Sequence, residues 1–270
     1  VETQGPLKKR QARAATLSSI SIAGASIQDM RVNVMTLSHI SKDEFVLHGI
    51  LGQDFMEQFD LEIDFPNRHL KFYSKAETME TCEVCQFRGT KIPFENDFGG
   101  LIKINFTLDD LTLTGILDTG TGITTVNKST VFSLGLDMKT LRANDPNNQG
   151  NGRRTNISKI TKLLEKERQK GQVNRRERIT RKDRSGDEEL RPFQAPPMKE
   201  YRIPISTISY GKTVLNRHQS IAFIDLPVFR QLGFRATPVA LVGTDLFQNK
   251  TLRIANGMKL LNISESELVL

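Results

Sequence analysis

Gly52-Gln53-Asp54-Phe55-Met56-Glu57-Gln58-Phe59-Asp60-Leu61-Glu62-Ile63 is matched without a gap by Gly243-Thr244-Asp245-Leu246-Phe247-Gln248-Asn249-Lys250-Thr251-Leu252-Arg253-Ile254. The Gly, Asp, Leu and Ile positions coincide, and each copy is preceded by two aliphatic residues, Ile50-Leu51 or Leu241-Val242. Each is followed by a turn signal, Pro66-Asn67 or Asn256-Gly257, and then by another apolar run. Farther upstream, Ser19-Ile20-Ser21-Ile22-Ala23-Gly24 matches Ser206-Thr207-Ile208-Ser209-Tyr210-Gly211 in the same relative place. Self-similarity of this kind marks one structural unit used twice. The matched runs cluster or alternate β-branched and apolar side chains over short spans bounded by Gly, Asn or Pro, which is the pattern of strands. The expectation is an all-β chain built from two related halves.

The halves are unequal. The second opens near Ile92-Pro93 and holds two strand-like runs, 101–106 and 111–117, ahead of Asp118-Thr119-Gly120-Thr121. The first, as given, has only the part from the Gly24 region onward. Asp118 precedes Gly243 by 125 residues, 58 of which form a segment of different composition, leaving 67. Carried back from Gly52, that spacing puts the counterpart of Asp118 about 15 residues before Val1. The expected organisation is the C-terminal part of a first lobe at 1–75, a linker at 76–91, and a second lobe at 92–265.

The segment 142–199 interrupts the second lobe. It holds 16 Lys/Arg against 8 Asp/Glu, while the rest of the chain has 22 against 23, so the net charge of +7 belongs to this one stretch. It opens as a loop from Asn144 to Gly152, allows one weak amphipathic helix over Lys159–Lys170, and ends almost without large apolar side chains. Such a sequence buries too little surface to offset chain entropy, and reads as a mostly disordered basic insertion. Its charge would attract phosphate, but no aromatic residues are interleaved to stack bases, which counts against nucleic acid as a partner. There is no run of about 18 apolar residues, so no membrane-spanning helix is expected.

Ile116-Leu117-Asp118-Thr119-Gly120-Thr121-Gly122-Ile123 is an apolar strand running into a carboxylate and a glycine-containing turn. This motif resembles the active-site signature of the retropepsin-like and pepsin-like aspartic proteases. Leu241-Val242-Gly243 and Ile50-Leu51-Gly52 look like the apolar-apolar-Gly element near the end of each lobe in those families. The resemblance spans roughly residues 16–75 and 92–265. It implies two retropepsin-like β-barrel lobes, a cleft for extended polypeptide, and an endopeptidase that needs neither metal nor cofactor. It also implies that Asp118 is catalytic, and that Thr119 ties two such loops together through its hydroxyl and backbone. Gly120 would then allow close approach of the backbone, and Thr121 would hydrogen-bond the carboxylate from outside. In the family a mobile flap follows this loop, in the interval where the basic insertion falls, and residues 1–14 could be the tail of a similar insertion.

The chemistry calls for a pair. Two carboxylates about 3 Å apart cannot both ionise, so they share a proton: one activates water while the other holds the substrate carbonyl. This sequence has one Asp-Thr-Gly. Either the second Asp lies upstream of Val1, or two chains pair as a homodimer, or the first lobe is degenerate and the chain is an inactive peptide-binding or protein-binding module of the same fold.

Cys82 and Cys85 are the only cysteines, and with His39, His48, His69 and His218 scattered they do not make a four-ligand zinc site. A redox pair is the other functional reading; a hinge with incidental thiols is the plainer one. Asn-x-Ser/Thr triplets occur at Asn105, Asn127, Asn156, Asn249 and Asn262, too common a pattern to establish secretion. The start of the chain names no compartment.

Overall fold

The computed structural model describes residues 2–4, 9–11, 13–34, 48–97, 99–137, 141 and 200–265. The basic insertion at 142–199, including its expected helix, lies outside the described residues. In chain order the first half comprises β1 (Glu2–Gln4), β2 (Lys9–Gln11), β3 (Arg13–Ile22), β4 (Ala25–Val34), the short helix α1 (Gln53–Met56), β5 (Phe59–Asp64) and β6 (His69–Ser74). After α2 (Glu83–Gln86) come β7 (Thr90–Pro93), β8 (Glu95–Asp97), β9 (Leu101–Leu108), β10 (Leu111–Leu117), β11 (Thr125–Val126) and α3 (Lys128–Ser133). The chain closes with β12 (Tyr201–Tyr210), β13 (Thr213–Phe223), α4 (Pro227–Gln231), β14 (Val239–Val242), a 3-10 turn Thr244–Leu246, β15 (Lys250–Ala255) and β16 (Leu260–Glu265). The fold is all-β, as the strand patterning predicts. Among the described residues no helix is long and apolar enough to cross a membrane.

Six strands close into a barrel in the order β9-β10-β14-β11-β13-β12 and back to β9, with β8 added outside β9. Alternation along β9 shows why: Ile102, Ile104, Phe106 and Leu108 are buried, while Asn105 points outward. β10 lies antiparallel to β9 through the tight Asp109-Asp110 turn, and parallel to β14 from Thr114↔Val239 to Leu117↔Val242. The turn is anchored, because Asp109 accepts hydrogen bonds from the backbone N–H of Ser206 and Thr207 on β12, each at 2.9 Å. Gly115 is required where β10 passes its neighbours, since a Cβ there would meet the Phe106 ring at 2.6 Å and Val242 at 2.9 Å. Ile203, Ile205, Ile208, Ile221 and Val242 fill the interior with the β9 side chains.

A second sheet, β6-β5-β15-β16-β7, joins the two repeats. Its central pairing is antiparallel, with Leu61↔Ile254, Glu62↔Arg253 and Ile63↔Leu252. The sequence repeat aligns Leu61 with Leu252 and Ile63 with Ile254, so each pairing is the mirror of another, centred on Glu62 and Arg253. That reciprocity is the mark of a local two-fold axis. On the axis, Arg253 Nε donates to Glu62 Oε2 at 2.6 Å with both side chains buried, Lys71 Nζ donates to Glu62 Oε1 at 2.7 Å, and the Arg253 guanidinium lies 3.9 Å over the Phe87 ring. Burial pushes the Glu62 carboxyl up, but the hydrogen bonds from Lys71 and Arg253 outweigh it and hold the group below its ordinary value. Cys82 and Cys85 are not incidental thiols: they form a disulfide at the start of α2, buried against Ala76 and Ala255. Among the described residues β3 and β4, by contrast, pair only with each other, and most of their side chains are exposed.

Candidate active site

β10 delivers Asp118 to the barrel's edge. The strand is buried through Ile116 and Leu117, and the ladder carries one step further when Asp118 N–H donates to the Val242 carbonyl at 2.9 Å. The chain then turns, with Thr121 N–H donating to the Asp118 carbonyl at 3.2 Å. Gly120 N–H donates to Asp118 Oδ1 at 2.9 Å, and a Cβ on Gly120 would stand 3.1 Å from that same oxygen. Asp118 is half-buried, while Thr119 and Gly120 are exposed. The carboxylate thus has one oxygen oriented by a backbone donor and stays accessible.

The loop after Asp118 is clasped by the end of β14. Thr244 donates to the Thr121 carbonyl through its N–H at 2.9 Å and its hydroxyl at 3.2 Å. Asp245 receives Thr124 N–H on both oxygens at 2.9 Å and the Thr124 hydroxyl on Oδ1 at 2.6 Å. Thr124 Oγ1 in turn accepts Gly243 N–H at 3.0 Å. Gly243 has no room for a side chain, because a Cβ there would lie 2.6 Å from the Ile123 carbonyl carbon. Charge-assisted bonds of this kind are short and strong, which suits a loop that must hold one geometry.

Of the four residues singled out from the motif, Asp118 and Gly120 meet through one hydrogen bond. The Thr121 hydroxyl donates to the Ile123 carbonyl at 3.4 Å, and Thr119 is exposed. Thr124 and Asp245 are the supporting residues that motif reading alone passed over. The repeat marks Asp245, whose Gly-x-Asp recurs at Gly52-Gln53-Asp54, but nothing in it points to Thr124. Among the described residues no group of three or more His, Cys, Asp or Glu side chains converges to hold a metal ion.

No family model matches the chain, and no curated protein matches it. Among solved structures it is similar to a retropepsin-like aspartic protease from Rickettsia conorii, at 15% identity and a TM-score of 0.34, over 67% of this chain and 95% of that one. At that level the likeness assigns no activity.

Proposed function

We propose that the chain is an aspartic-type endopeptidase in which Asp118 is one carboxylate of a catalytic pair, built on two lobes related by the Glu62–Arg253 axis. The observation that carries this reading is the loop 118–124: a half-buried carboxylate at a strand end, oriented by Gly120 N–H and locked from behind by Thr244 and Asp245. Such preorganisation suits a group that must change protonation without moving. In the pair, the ionised member removes a proton from water as the water oxygen attacks the scissile carbonyl carbon. The protonated member hydrogen-bonds the carbonyl oxygen, and the leaving nitrogen is protonated as the C–N bond breaks.

The second carboxylate needs a second clasp, and the first half offers one. Ile50-Leu51-Gly52-Gln53-Asp54 repeats Leu241-Val242-Gly243-Thr244-Asp245, yet Ile50 is 67% exposed. Among the described residues the buried Gln53 side-chain amide nitrogen meets no hydrogen-bond acceptor, at the position from which Thr244 serves the Asp118 loop. A polypeptide segment shaped like β10 and its Asp-Thr-Gly loop would cover Ile50 and Leu51, take the Gln53 donor on a carbonyl, and bring its Asp opposite Asp118. Pairing of two identical chains through β15 is disfavoured, because β5 already occupies that strand's free edge.

The test is cleavage of a mixed peptide library from acid to neutral pH by this chain, alone and with a polypeptide supplying a second Asp-Thr-Gly or Asp-Ser-Gly loop. Turnover that falls by about 10²-fold or more in Asp118→Asn, and that a pepstatin-like inhibitor competes away, supports the reading. Turnover indifferent to Asp118→Asn overturns it, and peptide binding without turnover in any assembly points to a binding module instead.

A further inference from the structure

The five Asn-x-Ser/Thr triplets fall into different surroundings, and those surroundings select among them. The Asn127 side chain caps α3 by accepting from Thr130 N–H at 3.0 Å, and its amide donates to the carbonyls of Phe234 and Thr237 at 3.2 and 2.8 Å. Asn262 is 2% exposed and its amide donates to the carbonyls of Val84 and Phe87 at 3.4 and 2.7 Å. A substituent on either nitrogen would break these bonds and displace buried backbone. Asn156 lies outside the described residues. Asn105 and Asn249 differ from both. Asn105 is exposed on the outer face of β9, beside an open groove lined by Pro93, Phe94 and Tyr210. Asn249 is exposed in the turn between the 3-10 segment and β15.

A second observation bears on whether such triplets are ever used. Both cysteines of the chain are joined in the Cys82–Cys85 disulfide, and structural disulfides persist in oxidising compartments, where N-linked glycans are also added. We infer that Asn105 and Asn249 carry N-linked glycans while Asn127 and Asn262 remain unmodified. In each transfer the side-chain nitrogen bonds to the anomeric carbon of a lipid-linked oligosaccharide diphosphate. The anomeric carbon–oxygen bond to the diphosphate breaks, the amide gives up one proton, and the lipid diphosphate leaves; nothing is oxidised or reduced. Both sites sit on outward-facing turns or strand faces, so the sugars extend into solvent, at Asn105 alongside the groove that Pro93, Phe94 and Tyr210 help to line.

The full-length protein, purified from the cells that make it, is treated with an N-glycan amidase and mapped by peptide mass spectrometry, which reads each glycosylated Asn as Asp. Conversion at both Asn105 and Asn249, with Asn127 and Asn262 unchanged, is the expected result, and Asn156 is read separately by its own peptide. Asn105→Gln and Asn249→Gln should each remove one step of gel mobility while keeping the unfolding midpoint of the unaltered protein, as exposed substitutions do, so a lost step is not a folding defect. Absence of conversion at either site, or a glycan on Asn127 or Asn262 of folded protein, overturns the inference.

Discussion

Gly52 and Gly243 have nearly the same backbone, φ −90° with ψ −179° in one and 176° in the other, and each leads into a short helical turn carrying an Asp. Around Gly243, Val242 is 1% exposed between β10 and β11, and Asp245 grips Thr124. Around Gly52, Leu51 is 39% exposed, and among the described residues the Asp54 carboxylate accepts from the N–H of the next residue, Phe55, at 2.9 Å and from no distant group. Local sequence therefore dictates the shape of the clasp in both halves. What it clasps comes from elsewhere in the chain, and only the second half has it among the described residues.

The largest effect is expected where the halves meet. Arg253→Met leaves Glu62 buried with Lys71 as its remaining cationic partner, and removing one member of a buried pair costs about 3 kcal/mol or more. Denaturant titration should show one weakened transition if the halves unfold together. The same pair sets a pH dependence. Because the Glu62 carboxyl is held below its ordinary value in the fold, its contribution is fully present above the unfolded value of about 4.3 and is lost as pH falls through the folded value. The stability of Glu62→Gln should therefore fall less between neutral pH and pH 3 than that of the unaltered protein. Equal slopes would refute the role of the pair.

The two clasps separate more finely in paired substitutions. Asp245→Ala strips Thr124 of its acceptor and should cost about 2–3 kcal/mol, as loss of a charged hydrogen-bond partner does, whereas Asp54→Ala removes one local bond and should cost well under about 1 kcal/mol. Gly243→Ala comes next. Its Cβ would strike the Ile123 backbone, which cannot yield cheaply, so about 1–3 kcal/mol is expected. At Gly52 the obstacle is the Asp54 carboxylate, the end of a side chain that can rotate away, and Gly52→Ala should be close to neutral. Unfolding midpoints of the four variants, measured side by side, decide the matter.

Much of this was readable from residues. The alternation in Leu101–Leu108 announces which side chains fill the barrel, and the ungapped repeat marks 52–63 and 243–254 as equivalent, while their pairing with each other is a tertiary fact. The place of Asp118 after an apolar strand was equally plain. The clasp was not, because Thr124 and Asp245 are 121 positions apart and no local pattern says that a hydroxyl and a carboxylate so distant will meet. Nor did spacing say whether Cys82 and Cys85 are joined: Cys-x-x-Cys serves redox, metal and structural sites alike, and burial against Ala76 and Ala255 is a tertiary fact.

The smallest expected effect is also the most discriminating. Ile50→Ser in the chain as given should change stability by no more than about 0.5 kcal/mol, because the side chain is already in water and has little burial to lose. Leu241, at the matching position, is paired with both Ile116 and Thr125 and packs with the Ile116, Phe229 and Val239 cluster, so Leu241→Ser should cost several times as much. If a segment carrying a second Asp loop seats on the first half, Ile50 becomes the structural equivalent of Leu241 and the asymmetry shrinks. Ile50→Ser would then weaken binding of that segment by several-fold, the effect of losing part of one buried aliphatic side chain, at about 0.8 kcal/mol for each methylene. Binding that ignores the substitution would mean that the segment docks elsewhere, and that the likeness between the two clasps is one of backbone shape alone.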